Sequence, residues 1–219
     1  MRSIHTLKSL PKRGRSSNWD TGRMSEGMPE AGANIEHVIH TSSGRLVLRR
    51  PVPSDADELF RMYSDTRLIE CDPMLAHPSI THTQAVLQRR IAEWQQYGHG
   101  LWVLLEGDAA GEVVGMGGCQ LQADIAWNLS FSLRPQSWGR GYAQEVASAG
   151  IGLAQSTRPE LPITAVVAEC NERSQRAIER VGLHKEWQGP DNYDPDPAAM
   201  MLLYADRVLS HDQTSALTR

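Results

Sequence analysis

Two glycines with one residue between them, Gly139 and Gly141, lie where a strand-like segment passes directly into a helix-like one. Apolar residues alternate over residues 125–133, which predicts a half-buried strand, and they recur at helical spacing over residues 143–154. The first amides of a helix lack internal acceptors, and the helix dipole makes that end positive. Because glycine has no Cβ atom, a ligand can approach these amides closely, and Arg140 adds a cation. The junction is therefore predicted to bind an anion such as a diphosphate.

The residues around the glycines form a longer pattern. Residues 136–141, Gln-Ser-Trp-Gly-Arg-Gly, match the Q/R-x-x-G-x-G/A acyl-CoA signature of the GNAT superfamily of N-acyltransferases. Residues 138–145 resemble the W-G-x-G-Y-A-x-E form of the RimJ/RimL-like branch, which includes ribosomal-protein N-terminal acetyltransferases. Downstream, residues 171–174, Asn-Glu-Arg-Ser, and residues 182–183 resemble the N-x-x-S and G-F motifs of that branch, although a leucine replaces the phenylalanine. The chain is similar to this branch over residues 45–207.

This resemblance implies an α/β (α+β) fold with a mixed, mostly antiparallel central sheet flanked by helices. In such a fold the strand before the glycine turn and the strand after the following helix are parallel and splay apart at the centre of the sheet. The hydrophobic patterns of the chain predict the same order of elements. They predict strands over 46–50, 101–105, 113–119, 125–133, 163–168 and 200–205, helices from residue 54, over about 83–97 and from residue 143, and a loop over 67–81.

The resemblance also implies a site for acetyl-CoA, the acyl-donor co-substrate. The backbone amides of residues 136–143 would hold the diphosphate, and the backbone near Leu133 would face the thioester carbonyl. Asn171 would bond to the pantetheine amides and Ser174 would lie near the sulfur; helix capping is the alternative for either residue, and both roles can coexist. The implied binding residues are Leu133, Gln136, Ser137, Trp138, Gly139, Arg140, Gly141, Tyr142, Ala143, Asn171 and Ser174. No metal is expected.

The implied chemistry is direct attack of a neutral amine on the thioester carbonyl, through a tetrahedral intermediate, with departure of the CoA thiolate. The strand over 125–133 contains no glutamate, and Ile178 stands where many relatives carry a catalytic tyrosine. The resemblance to the RimJ/RimL-like branch, in which the serine of N-x-x-S is the natural donor to the thiolate, implies that Ser174 is the acid; Glu70 is the candidate base. The alternatives to Glu70 are Asp72, His77, Glu186 and water-relayed proton removal. An α-amine, with a pKa of about 8, needs less help from a base than a lysine-like amine with a pKa of about 10.4.

The acceptor is expected to be a primary amine on a protein N-terminus, a peptide or a small molecule. Aromatic residues could line its pocket, although residues of this kind more commonly belong to the core. They are Trp94, Tyr97, Trp102, Trp127 and Trp187. A non-catalytic module that binds or senses acyl-CoA is the alternative from a different functional class. A dinucleotide-binding site at the glycines of residues 115–118 is rejected, because no helix pattern follows them.

Length and composition favour one domain with two tails. The chain has 219 residues, of which 40% are hydrophobic. The predicted division is a flexible, basic tail over 1–40, a GNAT domain over 41–210 and a C-terminal tail over 211–219. A net charge of -4 gives no reason to expect nucleic acid or a membrane as a partner. Three widely spaced cysteines favour a reduced, cytoplasmic chain over a disulfide framework or a zinc site, and a homodimer is left open.

Overall fold

The computed structural model describes residues 39–218, with side chains from residue 43 onward. The strands are β1 (Ile39–Ser42), β2 (Leu46–Arg49), β3 (Trp102–Glu106), β4 (Val113–Gln122), β5 (Ala126–Leu133), β6 (Ile163–Ala168), β7 (His184–Pro190) and β8 (Met200–Ala205). They form one eight-stranded sheet in the order β1-β2-β3-β4-β5-β6-β8-β7. Neighbouring strands are antiparallel except β5 and β6, which are parallel. The predicted mixed, mostly antiparallel sheet with one central parallel pair is confirmed.

Six α-helices accompany the sheet in the described part of the chain. They are α1 (Ala56–Tyr63), α2 (Thr66–Ile69), α3 (Ile80–Tyr97), α4 (Tyr142–Thr157), α5 (Glu172–Arg180) and α6 (His211–Leu217). Helices α1 and α3 cover one face of β2, β3 and β4 through a cluster that includes Leu59, Met62 and Leu87. Helix α4 covers the opposite face, because Tyr142 and Val146 pack against the alternate residues of those strands. Within residues 39–218, no helix combines the length and the apolar character needed to cross a bilayer.

The segment predicted as a loop over 67–81 is more structured than expected. It holds most of α2, the 3-10 turn Pro73–Leu75 and the start of α3, whose N-terminus the Ser79 hydroxyl caps. The carboxylates of Asp65 and Asp72 each accept from the amide two residues downstream. Such local side-chain bonds order the backbone without any hydrophobic periodicity, so periodicity did not reveal these turns.

The packed part of the chain extends beyond the boundary predicted at residue 210. Residues 211–217 form α6, whose N-terminus is capped by the Ser210 hydroxyl as it accepts from the Gln213 amide at 3.1 Å. Leu217 is buried in a cluster with Leu203. These residues are therefore a packed helix and not a tail; their mostly polar sequence hid the single apolar anchor. The predicted N-terminal tail over 1–40 lies outside the described residues, apart from the start of β1.

Candidate active site

Strands β5 and β6 are paired over only a short part of their length. The register joins two residue pairs, Trp127 with Ile163 and Asn128 with Thr164, although both strands continue beyond them. The strands therefore separate toward their carboxyl ends, as the resemblance implied. A cavity of about 680 Å³ opens at the separated ends and touches residues 131–133 of β5. This volume is in the range of small-molecule sites.

Backbone groups of β5 point toward the gap. The Arg134 amide donates to a β4 carbonyl at 2.8 Å, so the residues of β5 in phase with Arg134 bond to β4. The backbone groups of the intervening residues, which include Phe131 and Leu133, point toward β6 instead. Trp127 belongs to this second set, and its amide donates to the carbonyl of the residue just before β6 at 2.8 Å. The Trp138 indole donates to the Leu133 carbonyl at 2.8 Å. The Leu133 amide is left directed toward the space that β6 has vacated.

The glycine turn presents unpaired amides on the same cavity. Gly139 and Gly141 have φ angles of +74° and +82°, a left-handed backbone that glycine adopts without strain. A Cβ atom at Gly139 would meet nothing within 4 Å, so the space over the turn is open. The amides of residues 144 and 145 both bond to the Gly141 carbonyl, whereas the amides of residues 139–143 find no backbone acceptor in the described part of the chain. This is the arrangement that an anion site at a helix N-terminus requires.

Two arginines flank the turn. Arg45 and Arg140 each place a guanidinium 4.9 Å from the centre of the Tyr142 ring. Arg140 donates to the Glu106 carboxylate at 2.8 Å, and this bond lowers the pKa of Glu106. Arg45 pairs with Glu145. Burial raises the pKa of Tyr142, which keeps its hydroxyl neutral. The cations are therefore held in place beside the unpaired amides.

Another wall of the cavity is one face of α5, together with the residues just before the helix. The Asn171 Oδ1 atom accepts from the Ser174 amide at 3.1 Å, so Asn171 caps the N-terminus of α5, whereas Ser174 lies within the helix. Both residues also line the cavity. Because the cap uses only the Ser174 amide, it leaves the hydroxyl uncommitted.

Four further arginines around the cavity were missed by sequence reasoning. Arg173, Arg176 and Arg180 lie on α5, and Arg67 lies on α2. The Arg173 guanidinium stacks 3.7 Å from the centre of the Trp138 ring. Apolar periodicity carries no information about charged residues. The i, i+3, i+7 spacing of the three arginines on α5 is the signal that indicates a cationic helix face.

Of the four side chains considered as the base, Glu70 is the one that lines the cavity. It is exposed, on the segment that follows α2. The Asp72 carboxylate accepts from the backbone amide two residues downstream, and burial raises the pKa of Asp72. His77 bonds to the Thr83 hydroxyl at 2.9 Å, and burial lowers its pKa to about 4. The Glu186 carboxylate accepts from the Leu209 backbone amide at 3.4 Å.

All but one of the residues predicted to bind the co-substrate line the cavity. They are Leu133, Ser137, Trp138, Gly139, Arg140, Gly141, Tyr142, Ala143, Asn171 and Ser174. Gln136 does not: it is exposed on the 3-10 turn Pro135–Ser137, which buries Ser137 instead. A short turn of this kind directs adjacent side chains to different sides, which the motif spacing alone does not show.

The aromatic residues considered for an acceptor pocket belong mainly to the core. Trp94, Trp102 and Trp127 are buried, whereas Tyr97 is exposed. The glycines of residues 115–118 lie inside β4, which agrees with the rejection of a dinucleotide-binding turn there.

A sheet whose one parallel pair opens toward a glycine turn at a helix N-terminus defines the class of GNAT-type acyltransferases. A family model described as "Acetyltransferase (GNAT) domain" matches residues 45–184, more than half of the chain. The chain therefore belongs to the GNAT acetyltransferase family.

Relatives and solved structures agree with this assignment. The chain is 28% identical over 115 residues to the uncharacterised protein YkkB of Bacillus subtilis (strain 168); the match covers 47% of this chain and 66% of YkkB, just under two thirds. It is 26% identical over 144 residues to the uncharacterised N-acetyltransferase YoaA of the same strain, covering 65% and 81%. RimL, a ribosomal L7/L12 alpha-N-protein acetyltransferase, has a similar structure, with a TM-score of 0.63, 14% identity, and coverage of 83% and 99%. RimL has also been solved in complex with coenzyme A. At this identity the structural likeness shows the fold.

Proposed function

We propose that the protein is an N-acetyltransferase that moves the acetyl group of acetyl-CoA to a primary amine, on a protein N-terminus, a peptide or a small molecule. The observation that carries the proposal is the open end of the β5–β6 pair. There, unpaired backbone groups, the amides of the glycine turn and several arginines meet at one cavity. Family membership and the coenzyme A complex of RimL support the same donor.

The residues of this chain suit the diphosphate of the donor. The amides of residues 139–143 would hold it, with Arg140 as the nearest cation of the turn. The open space over Gly139 permits close approach to the backbone. The arginines of α5 extend the positive charge along the cavity. The side-chain amide nitrogen of Asn171, which the helix cap does not use, and the backbone of β5 would bond to the pantetheine arm.

When bound, acetyl-CoA supplies an activated acyl group, and the chain must stabilise charge and move two protons. The Leu133 amide would donate to the carbonyl oxygen as the amine attacks, since it points toward the gap. The Ser174 hydroxyl would donate a proton to the departing thiolate, because the helix cap does not use it. Neither role requires a covalent enzyme intermediate.

Glu70 would receive the proton of the amine, directly or through water. It lines the cavity and is exposed to solvent. An α-amine suits such a modest base better than a lysine-like amine, because its pKa of about 8 leaves more of it neutral near pH 7. The acceptor is expected in the cytoplasm, since free cysteines favour a reducing compartment.

One observation favours a second candidate, a non-catalytic module that binds or senses acyl-CoA. Strand β5 carries no acidic side chain, and Ile178, at the position of the tyrosine used by many relatives, is buried in the core. Binding without turnover would follow if neither Ser174 nor Glu70 performs proton transfer.

A screen for acetyl transfer separates the two candidates. Acetyl-CoA is mixed with α-amino peptides, polyamines, amino acids and aminoglycosides, and both the released thiol and the mass of each acceptor are measured. We expect thiol release together with an acceptor that gains one acetyl group, and a Glu70→Gln variant that needs a higher pH for the same rate. Tight acetyl-CoA binding with no product from any acceptor class would establish the binding module instead.

A further inference from the structure

Two cysteines that are far apart in the sequence meet at the cavity. Cys71 follows α2, and Cys170 precedes α5; both line the cavity. The Cys170 Sγ atom lies 3.5 Å from the Cys71 carbonyl oxygen. The two cysteines are therefore neighbours in the fold. The third cysteine, Cys119, is buried in the core on β4.

The surroundings of the two thiols differ. Cys170 is exposed, so a small oxidant in solvent can reach its sulfur. Cys71 is partly buried, and burial together with the neighbouring Cys170 thiol raises the pKa of Cys71 to about 12. An exposed thiol beside a partly shielded one is the arrangement of an attacking cysteine and a resolving cysteine.

We propose that Cys71 and Cys170 form a reversible disulfide that ties the segment after α2 to the segment before α5, where both segments line the cavity. A low-molecular-weight disulfide such as glutathione disulfide is the oxidant. The Cys170 thiolate attacks one of its sulfur atoms, a protein–glutathione S–S bond forms, and one glutathione thiolate leaves. Cys71 then loses its proton and attacks the Cys170 sulfur, and the second glutathione leaves. Two protein thiols are oxidised, and one glutathione disulfide is reduced to two thiols.

The link would change the site because of what flanks each cysteine. Cys71 follows Glu70 directly, and Cys170 precedes Asn171 directly. A covalent bond would lock these two segments, which already touch, in one position beside the cavity, and would so fix Glu70 relative to Asn171. Resting on the proposed function, we infer that this closes the path of the pantetheine arm. The pair escaped sequence reasoning because 99 positions separate the two residues and no C-x-x-C motif marks them.

The first experiment counts thiols in the full-length chain. The protein is incubated with glutathione disulfide, denatured and labelled with a maleimide, and its peptides are mapped by mass under non-reducing conditions. We expect the three thiols to fall to one, with a linked pair of peptides carrying Cys71 and Cys170. A Cys119→Ser variant should lose both of its two thiols. A Cys71→Ser variant should stop at a glutathione adduct on Cys170. Wild-type protein that keeps three thiols, stops at the adduct or links Cys119 overturns the pair.

The second experiment measures closure with desulfo-CoA, which has no thiol to exchange. Reduced and oxidised protein are compared by calorimetry, and we expect oxidation to weaken binding by at least about tenfold, with recovery after dithiothreitol. Treatment of a Cys170→Ser variant with glutathione disulfide should leave the affinity of that variant for desulfo-CoA unchanged. Equal affinity of the reduced and linked wild-type forms overturns the closure. If the reduced wild type does not bind desulfo-CoA, the proposed donor site fails and the closure fails with it, while the thiol count still decides the disulfide.

Discussion

The two ends of the β5–β6 pair differ in what they do with the same kind of backbone. At the paired end, Trp127, Ile163 and Thr164 are almost fully buried. The Thr164 hydroxyl donates to the Trp127 carbonyl at 3.1 Å, and the Ile163 amide donates to the Asp206 carboxylate at 3.0 Å. Every polar group named here has a partner, so this end contributes to stability.

At the open end, the strands give up that pairing. The Leu133 amide and the amides of the glycine turn face a cavity, and side chains of Phe131 and Ser132 are only half-buried. Unpaired backbone groups are costly unless water or a ligand satisfies them. One strand pair therefore separates stability from binding along its length, and substitutions at the two ends should have different effects.

The largest expected effect is a loss of stability at the paired end. Trp127→Ala removes a buried indole that also donates to the Arg158 carbonyl at 3.2 Å. We expect the free energy of unfolding to fall by about 3–5 kcal/mol, measured by urea denaturation. Protein that remains folded should bind desulfo-CoA with nearly the wild-type affinity. A strong loss of affinity in the folded fraction would contradict the separation of the two ends.

Ser174→Ala tests the open end through turnover. The alanine keeps the backbone amide that donates to the Asn171 cap, so stability should be unchanged. Removal of the candidate acid should lower kcat by about a hundredfold, with little change in the Kd for acetyl-CoA. Asn171→Ala is the contrasting variant, because it removes the cap and should cost about 1 kcal/mol of stability. Wild-type kcat in the serine variant would remove Ser174 from the mechanism.

The sequence predicted strands β5 and β6, the glycine turn and the start of α4 well, because these elements depend on local patterns. Alternation over 125–133 and the spacing of two glycines are visible within a short window. The cationic face of α5 was missed, although its spacing is local. The meeting of Cys71 with Cys170 could not be predicted, because tertiary contacts alone bring these segments together.

The edge of the sheet shows the same limit. Strand β7 was not predicted, since its residues are mostly exposed, and it ends in Gly189 and Pro190. It is a strand because β8 pairs with it on one side. Pairing of this kind comes from the partner strand and leaves little trace in the residues themselves.

A smaller effect is expected for Gly139→Val, which tests the anion site directly. The new side chain contacts no other protein atom closely but occupies the region over the unpaired amides. We expect the Kd for CoA to rise at least about tenfold, or about 1.4 kcal/mol. The left-handed φ of +74° should also cost about 1–2 kcal/mol of stability. Gly152→Val is the matched control, because that position is also open but lies within α4, away from the turn. Equal affinity in both variants would refute the phosphate assignment.

The smallest change is expected in the pH dependence of stability, which involves two histidines, one beside each end of the strand pair. His99 packs edge-on against Trp127 at the paired end, with ring centres 4.6 Å apart. His77 stacks on Tyr63, whose hydroxyl lies near Ser132 at the open end. Burial lowers the pKa of both histidines, that of His77 to about 4, with the neighbouring His82 adding to the effect there.

The sign of the pH dependence follows from these shifts. A histidine whose folded pKa lies below its unfolded value of about 6.5 contributes stability above that pH. As the pH falls from about 6.5 toward 4, the unfolded chain takes up the proton first, so stability decreases. After allowance for solvent screening, we expect His77→Gln to remove about 1 kcal/mol of this decrease between pH 7 and pH 5, measured by urea denaturation at each pH. The decrease in stability that remains in the variant should include the contribution of His99. A variant whose free energy of unfolding falls with pH as steeply as that of the wild type would show that packing does not hold His77 neutral.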